Sequence, residues 1–154
     1  MHSTIFGIDS HLRTTTICAL TVADGELKAR AFKGNDYGEM RDWMAAFPQP
    51  ARGVYESGCT GFVPARELTC RGVAVVPVAA SKIPSSADSR SRKNDRRDAE
   101  WVARLELAGG LTEVWVPPEQ IEDLRELAQV CFVLAAPLVN PKNNMQNQHK
   151  VNAS

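Results

Sequence analysis

Between Thr4 and Lys33 the chain leaves no room for a helix, and that restricts every fold open to it. Three β-type runs follow one another, Thr4–Asp9, Thr14–Val22 and Glu26–Lys33, joined by a few residues each. Thr14-Thr15-Thr16-Ile17 is β-branched throughout, which favours strand. Ala23-Asp24-Gly25-Glu26 holds the Asp-Gly pair favoured in tight hairpins, so these strands run antiparallel. After Lys33 the pattern changes. A helix is predicted from a cap at Asn35 or Asp36 to about Phe47, where Pro48 and Pro50 end it. A strand at Arg52–Glu56, a loop holding Gly58 and Gly61, and a helix at Phe62–Cys70 stopped by Gly72 come next. Val73–Val78 is almost wholly apolar, as a strand covered on both faces would be.

Ser81–Asn94 is rich in Ser, Arg and Lys and has no hydrophobic period, so it reads as a loop. Asp95–Ala108 returns to helical spacing, with Trp101, Val102, Leu105 and Leu107 on its apolar side and Gly109-Gly110 as its stop. Thr112–Val116 is expected as a further short strand, and Pro117-Pro118 precedes a helix from about Glu119 to Val130. Three antiparallel strands, then helix, strand, helix, strand, loop and helix is the order of an α/β, ribonuclease H-like fold. Such a fold is a mixed sheet flanked by helices. It carries one metal carboxylate on its first strand, one on its fourth and the rest on a late helix. Asp9 closes the first strand, Glu56 closes the fourth, and Asp95 and Asp98 open the late helix.

The spacing of that last pair bears on its chemistry. Three residues apart on a helix, Asp95 and Asp98 share a face with Cβ atoms about 5–6 Å apart. Carboxylates that close raise each other's pKa unless a cation stands between them. Carboxylate oxygens are hard ligands suited to Mg²⁺ or Mn²⁺. A pair of such ions can clamp the attacking and leaving oxygens of a phosphoryl displacement. A plainer reading stays open: acids in a first turn also serve as helix caps, and strand-end acids also bind turns.

Charge distribution favours a phosphate-bearing partner. The net formal charge is zero, but residues 81–104 hold seven basic side chains against four acidic ones, and residues 105–130 hold one against six. Exposed charges act over about 8–10 Å, so the local stripe matters more than the total. Arg90, Arg92, Lys93, Arg96 and Arg97 surround the acidic pair and are the candidate nucleic-acid contacts. His11, two residues beyond Asp9, either touches substrate or is simply solvated. Ser57 and Thr60 either bind phosphate or shape the turn after Glu56. Cys18, Cys59, Cys70 and Cys131 form no C-x-x-C pair and no zinc spacing, which fits reduced thiols in a cytoplasmic protein. Trp43, Trp101 and Trp115 are expected in the core or an interface. No run reaches about 18 apolar residues, and Met1-His2-Ser3 opens no signal peptide.

Three segments together carry a specific resemblance. Gly7-Ile8-Asp9-Ser10-His11, Tyr55-Glu56-Ser57 and Lys93-Asn94-Asp95-Arg96-Arg97-Asp98-Ala99 resemble the signature segments of the DEDD transposases, the Piv and MooV type of recombinase and its insertion-sequence relatives. The resemblance implies a RuvC-like domain over residues 3–130, with Asp9, Glu56, Asp95 and Asp98 as catalytic and metal-binding acids. It further implies DNA as partner, strand cleavage and rejoining in transposition, Mg²⁺ or Mn²⁺ as cofactor, and homo-oligomers. Some members are guided by an RNA from their own element. Members of this family continue into a helical connector and a second domain that carries a catalytic serine.

Here Cys131–Val139 is a bare apolar run, followed by an asparagine-rich stretch with no acid after Glu126. The tail 131–154 is therefore expected to fall outside the domain, as if the reading frame shifted or stopped near residue 130, leaving a fragment that binds metal without completing transposition. Three other readings stand beside this one. A non-catalytic nucleic-acid-binding remnant fits the basic stripe, and a junction-resolving nuclease fits the same acids. Half of an actin-like kinase or ATPase fits the opening Gly-Ile-Asp but leaves the arginines without a role.

Overall fold

The computed structural model describes residues 2–79 and 94–139, without the side chains of 135–139. The expectations placed on Arg90, Arg92, Lys93, most of the 81–94 loop and the stretch after 139 lie outside the described residues.

Residues 1–116 form one unit. Its sheet holds β1 (Thr4–Ser10), β2 (Thr14–Thr21), β3 (Leu27–Lys33), β4 (Ala51–Glu56) and β5 (Val75–Val78) in the order β3-β2-β1-β4-β5. β1, β2 and β3 pair antiparallel, whereas β4 lies parallel to both β1 and β5. Hairpin connections give the antiparallel half, and the intervening helices α1 (Tyr37–Ala45) and α2 (Val63–Cys70) give the parallel half. This is the mixed sheet of a ribonuclease H-like α/β fold.

Strand alternation divides the core into two layers. Phe6 and Ile8 of β1, Ile17 and Ala19 of β2 and Tyr55 of β4 pack with Met40 and Met44 of α1 and Leu68 of α2. Trp43 completes this layer, edge-on to Phe32 and Phe47. The opposite face takes helix α3 (Asp95–Leu107), where Ile5 and Leu20 meet Ala103, and Val54 and Val78 meet Val102.

The packing face of α3 differs from the expected one. Ala99, Val102 and Ala103 are its buried residues, while Leu107 is exposed. The reason lies across the interface, at Gly7. A Cβ added there would stand 1.9 Å from the Ala99 carbonyl oxygen and 2.7 Å from the Ala103 nitrogen. Backbone meets backbone at that point, and α3 can lie so close only if its own facing side chains are small.

One further expectation is corrected and another narrowed. Thr112–Val116 forms no strand; it contributes an isolated antiparallel bridge from Glu113 to Val78. Trp115 is exposed, which removes the core alternative for it and leaves the interface one.

Residues 117–154 form a second unit, built on α4 (Glu119–Val139). The helix continues past Val130, where the sequence reading ended it. Cys131–Leu134 follow Val130 without a glycine or proline, and Leu and Ala are strong helix formers. Leu124, Leu127, Val130, Phe132, Val133 and Leu134 of α4 are exposed.

Candidate metal centre

Asp9 and Glu56 are placed by the parallel pairing of β1 with β4. The register ends at Ile8 opposite Tyr55, so the next residue on each strand is an acid, at the same carboxyl edge of the sheet. Alternation sends Asp9 to the side of Ile5 and Gly7, which is the α3 side. Glu56 has the parity of Val54, whose partner is Val102 of α3.

The start of α3 is fixed by its cap. Asn94 is the N-cap, and its Oδ1 accepts a hydrogen bond from the Arg96 backbone N–H at 3.1 Å. Capping therefore falls to Asn94 rather than to the aspartates, which weakens the plainer reading of Asp95 and Asp98. Both acids sit in the first turn, where the helix dipole favours negative charge.

Close packing over Gly7 brings this turn onto the end of β1. Among the described residues, ligand atoms of Asp9, His11 and Asp95 all lie within 4.8 Å of one another. His11 Nε2 is 3.1 Å from Asp9 Oδ2 and 4.0 Å from Asp95 Oδ1. Burial pushes the Asp9 carboxyl above its usual range; His11 opposes the rise, and the charges of Asp95 and Asp98 add to it. Asp98 thus bears on Asp9 electrostatically while standing outside the group of three. Glu56 also stands outside that group and is exposed.

His11 is the residue that the sequence reading left as a solvated or substrate-touching side chain. Its spacing of two from Asp9 and the strand reversal around it are visible in the sequence, but nothing there shows that Asp95 of α3 comes down beside it. The His11 backbone N–H donates to the Thr14 carbonyl at 3.0 Å, closing the β1–β2 turn and holding the ring beside Asp9.

A cleft of about 520 Å³ opens beside these groups, lined by Thr16, Ala29, Arg30, Ala31, Asn94, Asp95 and Arg96. Thr16 is the cross-strand partner of Asp9, which makes the cleft continuous with the acidic cluster. Arg96 and Arg97 are exposed at its α3 side. Arg30 is engaged with Glu39 and lies 4.9 Å over the Phe32 ring. On β2, burial and then Glu100 push the Cys18 thiol up to about 11, so it stays a neutral core side chain.

The donor set fits a hard divalent cation. Two carboxylates from distant elements share a half-buried position in which Asp9 is held against its own ionisation, and a cation between them would relieve that.

Comparison with known proteins bears on the family of the chain. Residues 6–149 match the DEDD transposase family, whose description is transposase. The match runs past residue 130, where the sequence reading closed the domain. Protein y4qE of Sinorhizobium fredii (strain NBRC 101917 / NGR234), named as a candidate transposase, is 44% identical over 75 residues. That alignment takes in 49% of this chain and 19% of the relative, so the chain spans about a fifth of the length of the curated protein it matches. The large terminase nuclease of thermophilic phage G20c, crystallised with bound zinc, superposes with a TM-score of 0.48 at 14% identity, covering 66% of this chain and 80% of that one. A second structure of that nuclease gives 0.41 at 14% identity, covering 71% and 56%. The fold assignment rests on strand order and pairing.

Proposed function

The chain belongs to the DEDD transposase family, and on that premise we propose that residues 3–130 are the domain that cuts and joins DNA strands with divalent metal during insertion-sequence transposition. The observation that carries this reading is the meeting of Asp9 from β1 with Asp95 from α3 inside a 4.8 Å group, with Asp98 in electrostatic reach. Capping and turn roles do not require acids from two such distant elements to converge.

In this reading Asp9, Glu56, Asp95 and Asp98 hold Mg²⁺ or Mn²⁺. The bound ions supply Lewis acidity and an activated water or hydroxyl at phosphorus. The protein's own groups do the rest. Asp9 and Asp95 would hold the ion beside the cleft that runs from Thr16 to Asp95. Arg96 and Arg97, with Arg90, Arg92 and Lys93 before them in sequence, grip the flanking phosphates by charge-assisted hydrogen bonds. A guide RNA from the element, assembly into homo-oligomers and a cytoplasmic location belong to the same proposal. No described helix is long and apolar enough to cross a membrane.

Calorimetry with Mg²⁺ and Mn²⁺ tests the proposal, followed by nicking of labelled DNA. Wild type should bind metal, and Asp9→Asn and Asp95→Asn should each abolish both binding and nicking. Metal binding indifferent to both substitutions would overturn the reading. DNA binding that weakens steeply with salt but never leads to a metal-dependent cut would leave a binding module instead.

A further inference from the structure

We propose that His11 is itself a metal ligand, and that its imidazole tunes the site toward a first-row transition ion over Mg²⁺. The inference rests on the metal-centre reading above and adds a fifth residue to the four acids.

One ring nitrogen faces two carboxylates on different elements. His11 Nε2 stands 3.1 Å from Asp9 Oδ2 and 4.0 Å from Asp95 Oδ1. For metal–ligand bonds of about 2.1 Å, ligands at right angles lie about 3.0 Å apart and opposed ligands about 4.2 Å apart. The two observed separations match those spans, and the Asp9 and Asp95 ligand atoms lie within 4.8 Å of each other.

The turn geometry supports this placement. The His11 backbone is tied to Thr14 across the β1–β2 connection. The ring is half-buried, with 35% of the side chain exposed, so it is held against the site while remaining open to an incoming ion.

The donor type sets the preference. Mg²⁺ favours an all-oxygen shell and keeps several waters, whereas imidazole nitrogen suits the later first-row ions. Replacing one oxygen donor by nitrogen should therefore steepen the order Co²⁺ over Mn²⁺ over Mg²⁺ beyond that of an all-oxygen site.

The test uses the whole chain, with Mn²⁺, Co²⁺ and Mg²⁺ as probes. Affinities are measured by calorimetry, and directly bonded nitrogen is sought by pulsed paramagnetic resonance of the Mn²⁺ form. Wild type should show ¹⁴N coupling to Mn²⁺ and the stated order. His11→Ala should lose the coupling and weaken Mn²⁺ binding roughly 10–100-fold. His11→Asp, which restores an oxygen donor, should recover Mg²⁺ binding while the advantage of Co²⁺ over Mg²⁺ falls about tenfold. Metal binding that needs Asp9 but shows no ¹⁴N coupling, with an unchanged ratio of Co²⁺ to Mg²⁺ affinity in His11→Asp, would overturn the role of His11 and leave the carboxylate site standing. Failure of every metal to bind wild type would overturn both. Circular dichroism of each variant confirms that the fold is kept.

Discussion

Asp9 ionises against its surroundings, and that has a measurable sign. Burial raises its pKa above the usual carboxylate value, with Asp95 and Asp98 adding to the rise. The folded protein therefore holds this proton more tightly than the unfolded chain does. The associated stability is present below the ordinary carboxylate pKa and is lost as pH climbs through the raised one. In metal-free protein, Asp9→Asn should raise Tm by about 2 °C near neutral pH, with the gap to wild type shrinking toward pH 4. Scanning calorimetry in chelator across that range checks this, and a gap independent of pH would refute it. Added Mn²⁺ should reverse the ranking by stabilising wild type alone. Asn94→Ala should cost about 1 kcal/mol through loss of the cap, seen as a lower midpoint in urea. At this scale the places of the acids along the elements were readable, because each ends a strand or opens a helix with a distinct local pattern, whereas the meeting of Asp9 with Asp95 was not. Nor was the part of His11, since its meaning depends on α3 coming down beside the turn that holds it.

At the scale of elements, the docking of α3 on β1 decides whether a site exists. Gly7→Ala would drive a methyl group into the Ala99 carbonyl, and only movement of the helix can relieve that contact. The expected cost is about 3 kcal/mol, together with loss of metal binding as the first turn of α3 shifts away from Asp9. Met40→Ala serves as the control. Met40 is fully buried in the layer on the other face, so its loss should destabilise by a similar about 2–5 kcal/mol yet leave metal affinity within a few-fold of wild type. Equal loss of metal binding in both variants would separate the site from the Gly7 contact. Strands and helices were legible here because β-branched runs, the Asp-Gly hairpin and the prolines are local signals. The face of α3 was not. Trp101, Leu105 and Leu107 are larger and more apolar than Ala99 and Ala103, but only small residues fit over a glycine. Thr112–Val116 has strand composition, yet it meets β5 through a single bridge.

Across the whole molecule, zero net charge conceals an uneven surface, and α4 adds an apolar one. Its exposed Leu124, Leu127, Val130, Phe132, Val133 and Leu134 exceed what isolated surface side chains account for. Leu124→Glu with Leu127→Glu should therefore reduce association at micromolar concentration, read as a lower weight-average mass in sedimentation, with metal affinity unchanged. An unaltered mass would show that these leucines do not drive association. Composition announced the hazard at Cys131–Val139, but that it extends back along α4 depends on where the helix ends. The order in which Asp9 and Asp95 are made carries a last consequence, for synthesis. Asp9 leaves the ribosome early, while Asp95 and Asp98 follow only after the whole sheet has been made. A nascent or prematurely released chain that stops before α3 lacks Asp95, Asp98 and the helix that carries them. On the function proposed above, an unfinished product would lack the site altogether, and the order of the elements would itself withhold cleavage until α3 has been made.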